Sequence, residues 1–246
     1  MKQNESCISP LSPEAIAGLN SELAQSTPEE ILRFFLGKYG LKRIALASSL
    51  GLEDQVLTDM LLKINHSARI FTLDTGRLFP ETYSLIDRTN MYYGIRMEVY
   101  FPDSKPVEEY VGKHGVNGFY GSVELRRECC RVRKLEPLGR ALATVDAWIC
   151  GLRREQSVTR TGVETVEWDA VNGLVKLNPL AAWSEAEVES YVRINRVPVN
   201  ALHIEGFRSI GCQPCTRATD AGENVRAGRW WWENPEHKEC GLHRRP

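Results

Sequence analysis

Five of the seven cysteines fall into three groups: an adjacent pair, Cys129 and Cys130, a Cys-x-x-Cys, Cys212 to Cys215, and a single thiol near the end, Cys240. Four sulfurs satisfy a metal that prefers thiolates, and two pairs this far apart in sequence meet only in a folded chain. Cys240, in Glu239-Cys240-Gly241-Leu242-His243, stands apart from both pairs. A thiol on a short terminal segment suits nucleophilic attack on a bound substrate.

Three chemistries compete for the paired cysteines. Cys212-Gln213-Pro214-Cys215 alone resembles a thioredoxin-type redox motif, but it sits in a Gly- and Pro-rich stretch and has a matching thiol pair elsewhere. A four-cysteine zinc site would use the same atoms. Adjacent cysteines must diverge to reach two corners of one zinc tetrahedron, whereas a cuboidal cluster offers each sulfur its own iron, which favours iron and sulfide. A vicinal disulfide at Cys129 and Cys130 would be strained and would leave the second pair unexplained. The residues around Glu128-Cys129-Cys130-Arg131-Val132-Arg133-Lys134 suit a helix, so Lys134, four residues after Cys130, is expected on that cysteine's face as a cation near the metal. Cys150 reads as core packing and Cys7 as chemically idle.

These residues need elements to position them. Apolar residues at helical spacing predict helices over Pro13 to Ala24 and Pro28 to Tyr39. Arg43 to Ser48 reads as a strand, Ser49-Leu50-Gly51-Leu52 as a turn, and Val56, Leu57, Met60, Leu61 and Ile64 as one helix face. The pattern repeats with a strand at Arg69 to Leu73, a turn at Asp74-Thr75-Gly76, a helix from Pro80 to Tyr93 and a strand from Arg96 to Phe101. One more buried strand is expected at Asp146 to Gly151, and after Val175 to Leu180 a helix with a capping box at Ser184 and Glu187 that ends before Pro198. Alternating strands and helices predict an α/β domain with a parallel sheet and helices on both faces. From Phe207 onward periodicity is lost, as expected of a segment organised by a metal.

Ser48-Ser49-Leu50-Gly51-Leu52-Glu53-Asp54 follows a strand and opens a helix, where backbone N–H groups and the helix dipole receive phosphate. It resembles the Ser-Gly-Gly-x-Asp-Ser loop of ATP pyrophosphatases, with Leu50 in place of the first glycine and Asp54 in place of the last serine. A carboxylate there repels a triphosphate, so a smaller adenylate ligand is expected. Asp74, Thr75 and Gly76 are placed at the same sheet edge, as a binding loop or as a plain turn. Arg153, Arg154, Arg217, Arg226 and Arg229 are candidates for phosphate or sulfate oxygens. His243, three residues past Cys240, either lowers the thiol's pKa or is a solvated tail residue.

With 246 residues and a net charge of −1, the chain accommodates a full core, and nothing global points to nucleic acid or a membrane surface. No apolar run reaches signal-peptide or membrane-helix length, and an odd cysteine count argues against a disulfide framework. The expectation is a soluble cytoplasmic protein. Three function classes follow from the residues: a thiol-dependent enzyme acting on a nucleotide, an ATP-using adenylyl transfer enzyme, and a metal-stabilised binding protein. Asp54 disfavours the second and Cys240 the third.

From Arg43 to His243 the chain resembles the assimilatory adenylyl-sulfate reductase family, the thioredoxin-dependent members of the APS/PAPS reductases. The resemblance is carried by the loop at residues 48–54, Leu73-Asp74-Thr75-Gly76, Cys129 to Lys134, Gly151-Leu152-Arg153-Arg154, Gly211 to Arg217, and Lys238 to His243. It implies an adenine nucleotide α-hydrolase (PP-loop-like) fold, a 4Fe-4S cluster on Cys129, Cys130, Cys212 and Cys215, and Cys240 as catalytic nucleophile. It further implies that adenylyl sulfate (APS) is reduced to sulfite and AMP through an S-sulfocysteine, with thioredoxin as donor. That chemistry serves sulfate assimilation and cysteine biosynthesis. Ser48, Ser49, Gly51, Glu53 and Asp54, the Asp74-Thr75-Gly76 turn, Lys134, Arg154, Arg226, Arg229 and His243 are expected at the substrate. The two cysteine pairs select adenylyl sulfate over its 3'-phosphorylated form (PAPS), with PAPS or dual specificity as the alternative. The expected organisation is one domain: a helical segment (1–40), the nucleotide-binding reductase body with the iron-sulfur site (41–232), and a tail carrying Cys240 (233–246). A chain ending at Pro246 is expected to use an external thioredoxin, and a homo-oligomer is compatible with the sequence.

Overall fold

The computed structural model describes residues 11–156, 160–234 and 241. Helices α1 (Pro13–Glu22) and α2 (Pro28–Tyr39) begin at prolines that follow the caps Ser12 and Thr27, and α2 has a full capping box with Glu30. Proline suits that position because its missing N–H has no helical partner there. The body then runs β1 (Ile44–Ala47), α3 (Leu52–Ile64), β2 (Arg69–Leu73), α4 (Pro80–Tyr93), β3 (Glu98–Tyr100) and α5 (Ser104–His114). After α6 (Val123–Cys130), a π-helical stretch, Arg131–Leu135, leads without a break into α7 (Glu136–Leu142). The chain finishes its regular structure with β4 (Ala147–Ile149), β5 (Val166–Asp169), β6 (Leu174–Leu177) and α8 (Glu185–Asn195).

The six strands form one sheet in the order β3-β2-β1-β4-β6-β5. Five are parallel, while β5 pairs antiparallel with β6, Val166 opposite Leu177. The expectation of a parallel sheet is therefore corrected at one edge. Only four residues, with a turn at Gly173, separate β5 from β6, and so short a connection closes a hairpin but never a crossover.

Period-two alternation divides the core. Ile44 and Leu46 of β1 join Val56, Leu57, Met60 and Leu61 of α3 on one face, while Ala45, Phe71 and Trp148 meet Leu138, Ala141 and Leu142 of α7 on the other. Both faces are thus covered, and each fully buried Leu or Ile contributes roughly 1.5–3 kcal/mol. Strand order reverses direction beside β1, where β2 and β3 build one side and β4 and β6 the other. A crevice opens beyond the carboxyl ends of strands at such a reversal. Among the described residues, no helix is long and apolar enough to cross a membrane.

Candidate active site: two cavities with a common wall

A cavity of about 200 Å³ lies at that reversal, walled by Ala47 at the end of β1 and residues 48–54 after it, Leu73 at the end of β2, Cys150, Gly151 and Leu152 after β4, and residues 208–211, 225, 226, 229 and 230. Asp54 organises its floor. Its Oδ2 accepts the Ser49 N–H and hydroxyl, each at 2.6 Å, and its Oδ1 accepts the Gly151 N–H at 3.0 Å. Burial pushes this carboxyl up to about 6, while the donors at Ser49 and Gly151 pull the other way. Asp54 thus engages the loop itself and ties it to β4. Gly151 permits the approach: a Cβ there would lie 2.8 Å from Glu53 Cβ. Leu50, standing where the related loop has glycine, keeps glycine's backbone geometry at φ 63° and is held there by burial in the core.

Glu53 faces a buried cation rather than open space, since Arg153 Nε and Nη2 both lie 2.9 Å from its Oε1. Ser48, Ser49 and Gly51 line the cavity, with the Ser48 hydroxyl accepting the Leu50 N–H. Lys134, Arg226 and Arg229 also line it. Arg229 is only 6% exposed, has no carboxylate within ion-pair distance among the described residues, and leaves its Nε without a hydrogen-bond partner. A buried guanidinium with spare donors is suited to an anion. Arg154 points elsewhere, donating to the Val163 carbonyl at 2.7 Å, and Arg217 is clamped by Glu223. Arg160, Arg208 and His203 line the cavity although the sequence reading did not single them out. Arg208 is held by both oxygens of Glu185.

The cysteines surround a second, smaller cavity, lined by Cys129, Cys130, Cys212 and Cys215 together with Arg77, Arg126, Arg133 and Lys134. The π-helical stretch follows Cys130 directly, and its wider turn places Lys134 on the wall of both cavities. The Asp74-Thr75-Gly76 turn belongs to this side: the Thr75 hydroxyl lies 3.2 Å from Cys212 Sγ, and the Thr75 carbonyl accepts Arg133 Nη1 at 2.7 Å. Asp74 accepts the Gly76 N–H and the Tyr83 hydroxyl, both at 2.8 Å. The carbonyl of Arg77 accepts the Gln213 N–H at 2.8 Å, joining the turn to the Cys-x-x-Cys. Arg77, Arg126 and Arg133 carry no distance signature in the sequence; only adjacency to the two motifs hints at them.

Burial pushes the Cys215 thiol up to about 12 and raises Cys129, with the charge of Cys212 acting in the same direction on both; Arg133 beside Cys129 and Arg229 and Lys134 near Cys215 oppose it. Among the described residues, no three His, Cys, Asp or Glu side chains form a group able to hold a metal ion. The thiols surround a space rather than one point. Four thiols lining one cavity, a cationic surround and an otherwise apolar packing of Phe119 and Trp230 make a donor set that fits an iron-sulfur cluster. Cys150 is buried in the core, where desolvation raises its thiol pKa strongly. Cys7, Cys240 and His243 lie outside the described residues.

Comparison with known proteins places this architecture. Residues 43–218 match the phosphoadenosine phosphosulfate reductase domain family. The adenosine 5'-phosphosulfate reductase of Allochromatium vinosum is 59% identical over 205 residues, 83% of this chain and 80% of that protein. The enzyme of the same name from Burkholderia cepacia is 49% identical over 235 residues, 95% and 93% of the two chains. Among solved structures, phosphoadenylyl-sulfate reductase from Candida auris superposes with a TM-score of 0.72 at 30% identity, covering 84% of this chain and 98% of that one. FMN adenylyltransferase of Candida glabrata shares the fold alone, with a TM-score of 0.57 at 16% identity over 87% of this chain and 72% of that one. The sheet and its crevice are those of the adenine nucleotide α-hydrolase fold, and the chain belongs to the phosphoadenosine phosphosulfate reductase domain family.

Proposed function

We propose that this chain reduces adenylyl sulfate to sulfite and AMP with a thioredoxin-like dithiol as donor, in cytoplasmic sulfate assimilation. The observation that carries the reading is the common wall: Lys134 borders the cavity at the carboxyl ends of β1 and β4 and the four-cysteine cavity alike. A nucleotide in the first cavity would thereby present its sulfate end toward the cationic partition between them. Relatives at 48–59% identity named adenosine 5'-phosphosulfate reductases support the unphosphorylated nucleotide as substrate.

In this reading the loop at residues 48–54 holds the adenylate, with Ser48, Ser49 and Gly51 at its wall and Asp54 fixing the loop from behind. Lys134, Arg226 and Arg229 offset the charge of the phosphosulfate, so that a thiolate can approach a poor, negatively charged electrophile. The Cys240 thiolate attacks the sulfate sulfur; the S–O bond to AMP breaks, and its electron pair leaves with AMP. The enzyme then holds an S-sulfocysteine. A donor thiolate attacks the Cys240 sulfur and sulfite departs with the electron pair of the S–S bond. The donor's second thiol resolves the mixed disulfide, so the donor is oxidised by two electrons and sulfur(VI) becomes sulfur(IV).

Cys129, Cys130, Cys212 and Cys215 would hold the four-iron, four-sulfur cluster, with Thr75 and Arg133 orienting the thiols. When bound, that group supplies a compact fixed charge beside the sulfate end of the pocket. The test is a product assay with purified protein, adenylyl sulfate and reduced thioredoxin: sulfite and AMP are expected in equal amounts. A parallel reaction with the 3'-phosphorylated nucleotide reads the alternative substrate; faster turnover there would reverse the choice, and no sulfite from either would overturn the reading.

A further inference from the structure

Gly211 stands directly before Cys212 and lines the cavity at the strand reversal. Its backbone is not left-handed, so nothing in the main-chain conformation calls for glycine. A Cβ on Gly211 would nevertheless lie 2.5 Å from Arg229 Cζ and 2.8 Å from its Nη1, and closer still to Nη2. The volume a side chain needs is filled by the Arg229 guanidinium, which lies against the glycine.

The rest of Arg229 is held around that contact. Its main chain forms an isolated antiparallel bridge with Thr216, its Nη1 donates to the Ile210 carbonyl at 3.2 Å, and its guanidinium lies 4.7 Å from the centre of the Trp230 ring. Nη1 is thereby occupied, while Nε has no hydrogen-bond partner among the described residues. The Nε–Nη2 side of a guanidinium is the fork that grips two oxygens of a phosphate or sulfate. The backbone beside Gly211 is pinned, at Ile210 by Arg229 and at Gln213 by its N–H to the Arg77 carbonyl at 2.8 Å. The guanidinium, by contrast, ends a flexible side chain. A methyl added at 211 therefore displaces the guanidinium while the fold keeps its shape.

We propose that Gly211 is a positioning residue for the anionic end of the nucleotide: the absence of a Cβ there seats the Arg229 guanidinium with its Nε–Nη2 fork toward the cavity, and a side chain at 211 turns the fork away. The inference rests on the reading under Proposed function that Arg229 offsets part of the phosphosulfate charge. It adds a selectivity, because the seat matters to a charged ligand and not to the uncharged nucleoside.

The test is a double-mutant cycle on the full chain with its metal site loaded: wild type, G211A, R229A and G211A/R229A. Calorimetry reads two ligands in each protein, adenosine and a non-reacting adenylyl sulfate analogue with a methylene group in place of the oxygen that bridges phosphorus and sulfur. G211A is expected to weaken the analogue about tenfold, the scale of one charged hydrogen bond, and to leave adenosine within about twofold. In the R229A background G211A should change analogue affinity by no more than about twofold, since both substitutions remove the same interaction. The cycle does not require the cysteine site to be unaltered by G211A: a loss transmitted through Cys212 would be as large with R229A as without it. Such an equal loss would overturn the proposal, as would wild-type affinity for the analogue in G211A, or a parallel loss of adenosine. If R229A itself binds the analogue as wild type does, the anion does not sit at Arg229, and the placement under Proposed function fails together with its seat.

Discussion

Asp54 accepts the backbone N–H of Gly151 at 3.0 Å, so a single buried carboxylate joins the loop after β1 to the end of β4 across 97 residues of sequence. The crevice at the strand reversal owes its shape to that contact. The Ser49 N–H is likewise taken by Asp54, at 2.6 Å.

G151A tests this contact most simply. The added methyl would press on Asp54 and lie 2.8 Å from Glu53 Cβ and 3.1 Å from Asp54 N. An overpacked, rigid site of this kind costs about 1–3 kcal/mol. We expect a lower melting temperature and weaker AMP binding together, measured by thermal unfolding and calorimetry. Wild-type values for both would show that the loop is not held from Gly151.

Asp54 also predicts a pH dependence. Its folded value of about 6 lies above the ordinary aspartate value, so between these the folded state holds a proton that the unfolded state has lost. Its contribution to stability is full below about pH 4 and is lost as pH rises through about 6, amounting to at most about 3 kcal/mol. The unfolding free energy of wild type minus that of D54N should therefore fall between pH 4 and 7. A difference that stays level, or rises, contradicts the burial argument.

Much of this was legible in the sequence, and the rest was hidden for identifiable reasons. The loop at Ser48–Asp54 and the paired cysteines show themselves through local composition, and the helices through apolar spacing and the cap at Ser184–Glu187. Arg153 was visible only as a candidate anion ligand, yet it is spent on Glu53, and Arg154 on the Val163 carbonyl. Such choices are made by tertiary neighbours, not by residue type. The π-helical stretch after Cys130 escaped because an i→i+5 turn leaves no compositional mark. The edge strand β5 escaped because Val166-Glu167-Trp168-Asp169 is short and becomes a strand by pairing with β6. Arg126 escaped because its partner, Glu233, lies 107 residues away.

Arg229 and Arg217 should separate cleanly as substitutions. R229A removes a buried guanidinium with spare donors from the cavity wall, and adenylyl sulfate binding should weaken about 10–100-fold, the range for a charged hydrogen bond. R217A removes a cation already held by Glu223, and affinity should stay within about twofold. Equal losses, read by calorimetry with a non-reacting nucleotide, would contradict the placement of the anion site.

The cysteine cavity predicts a coloured protein. Anaerobic purification should give iron and acid-labile sulfide near about four each per chain, and C129S or C212S should lose both. Colourless protein carrying stoichiometric zinc would contradict the cluster while leaving the nucleotide cavity intact.

The most direct test of the central claim is peptide mass analysis of the protein mixed with adenylyl sulfate in the absence of any reductant. The account predicts one sulfonate adduct, on the peptide containing Cys240, and AMP released in equal amount. An adduct on Cys212, or AMP and sulfite still produced by C240S when thioredoxin is supplied, would contradict it.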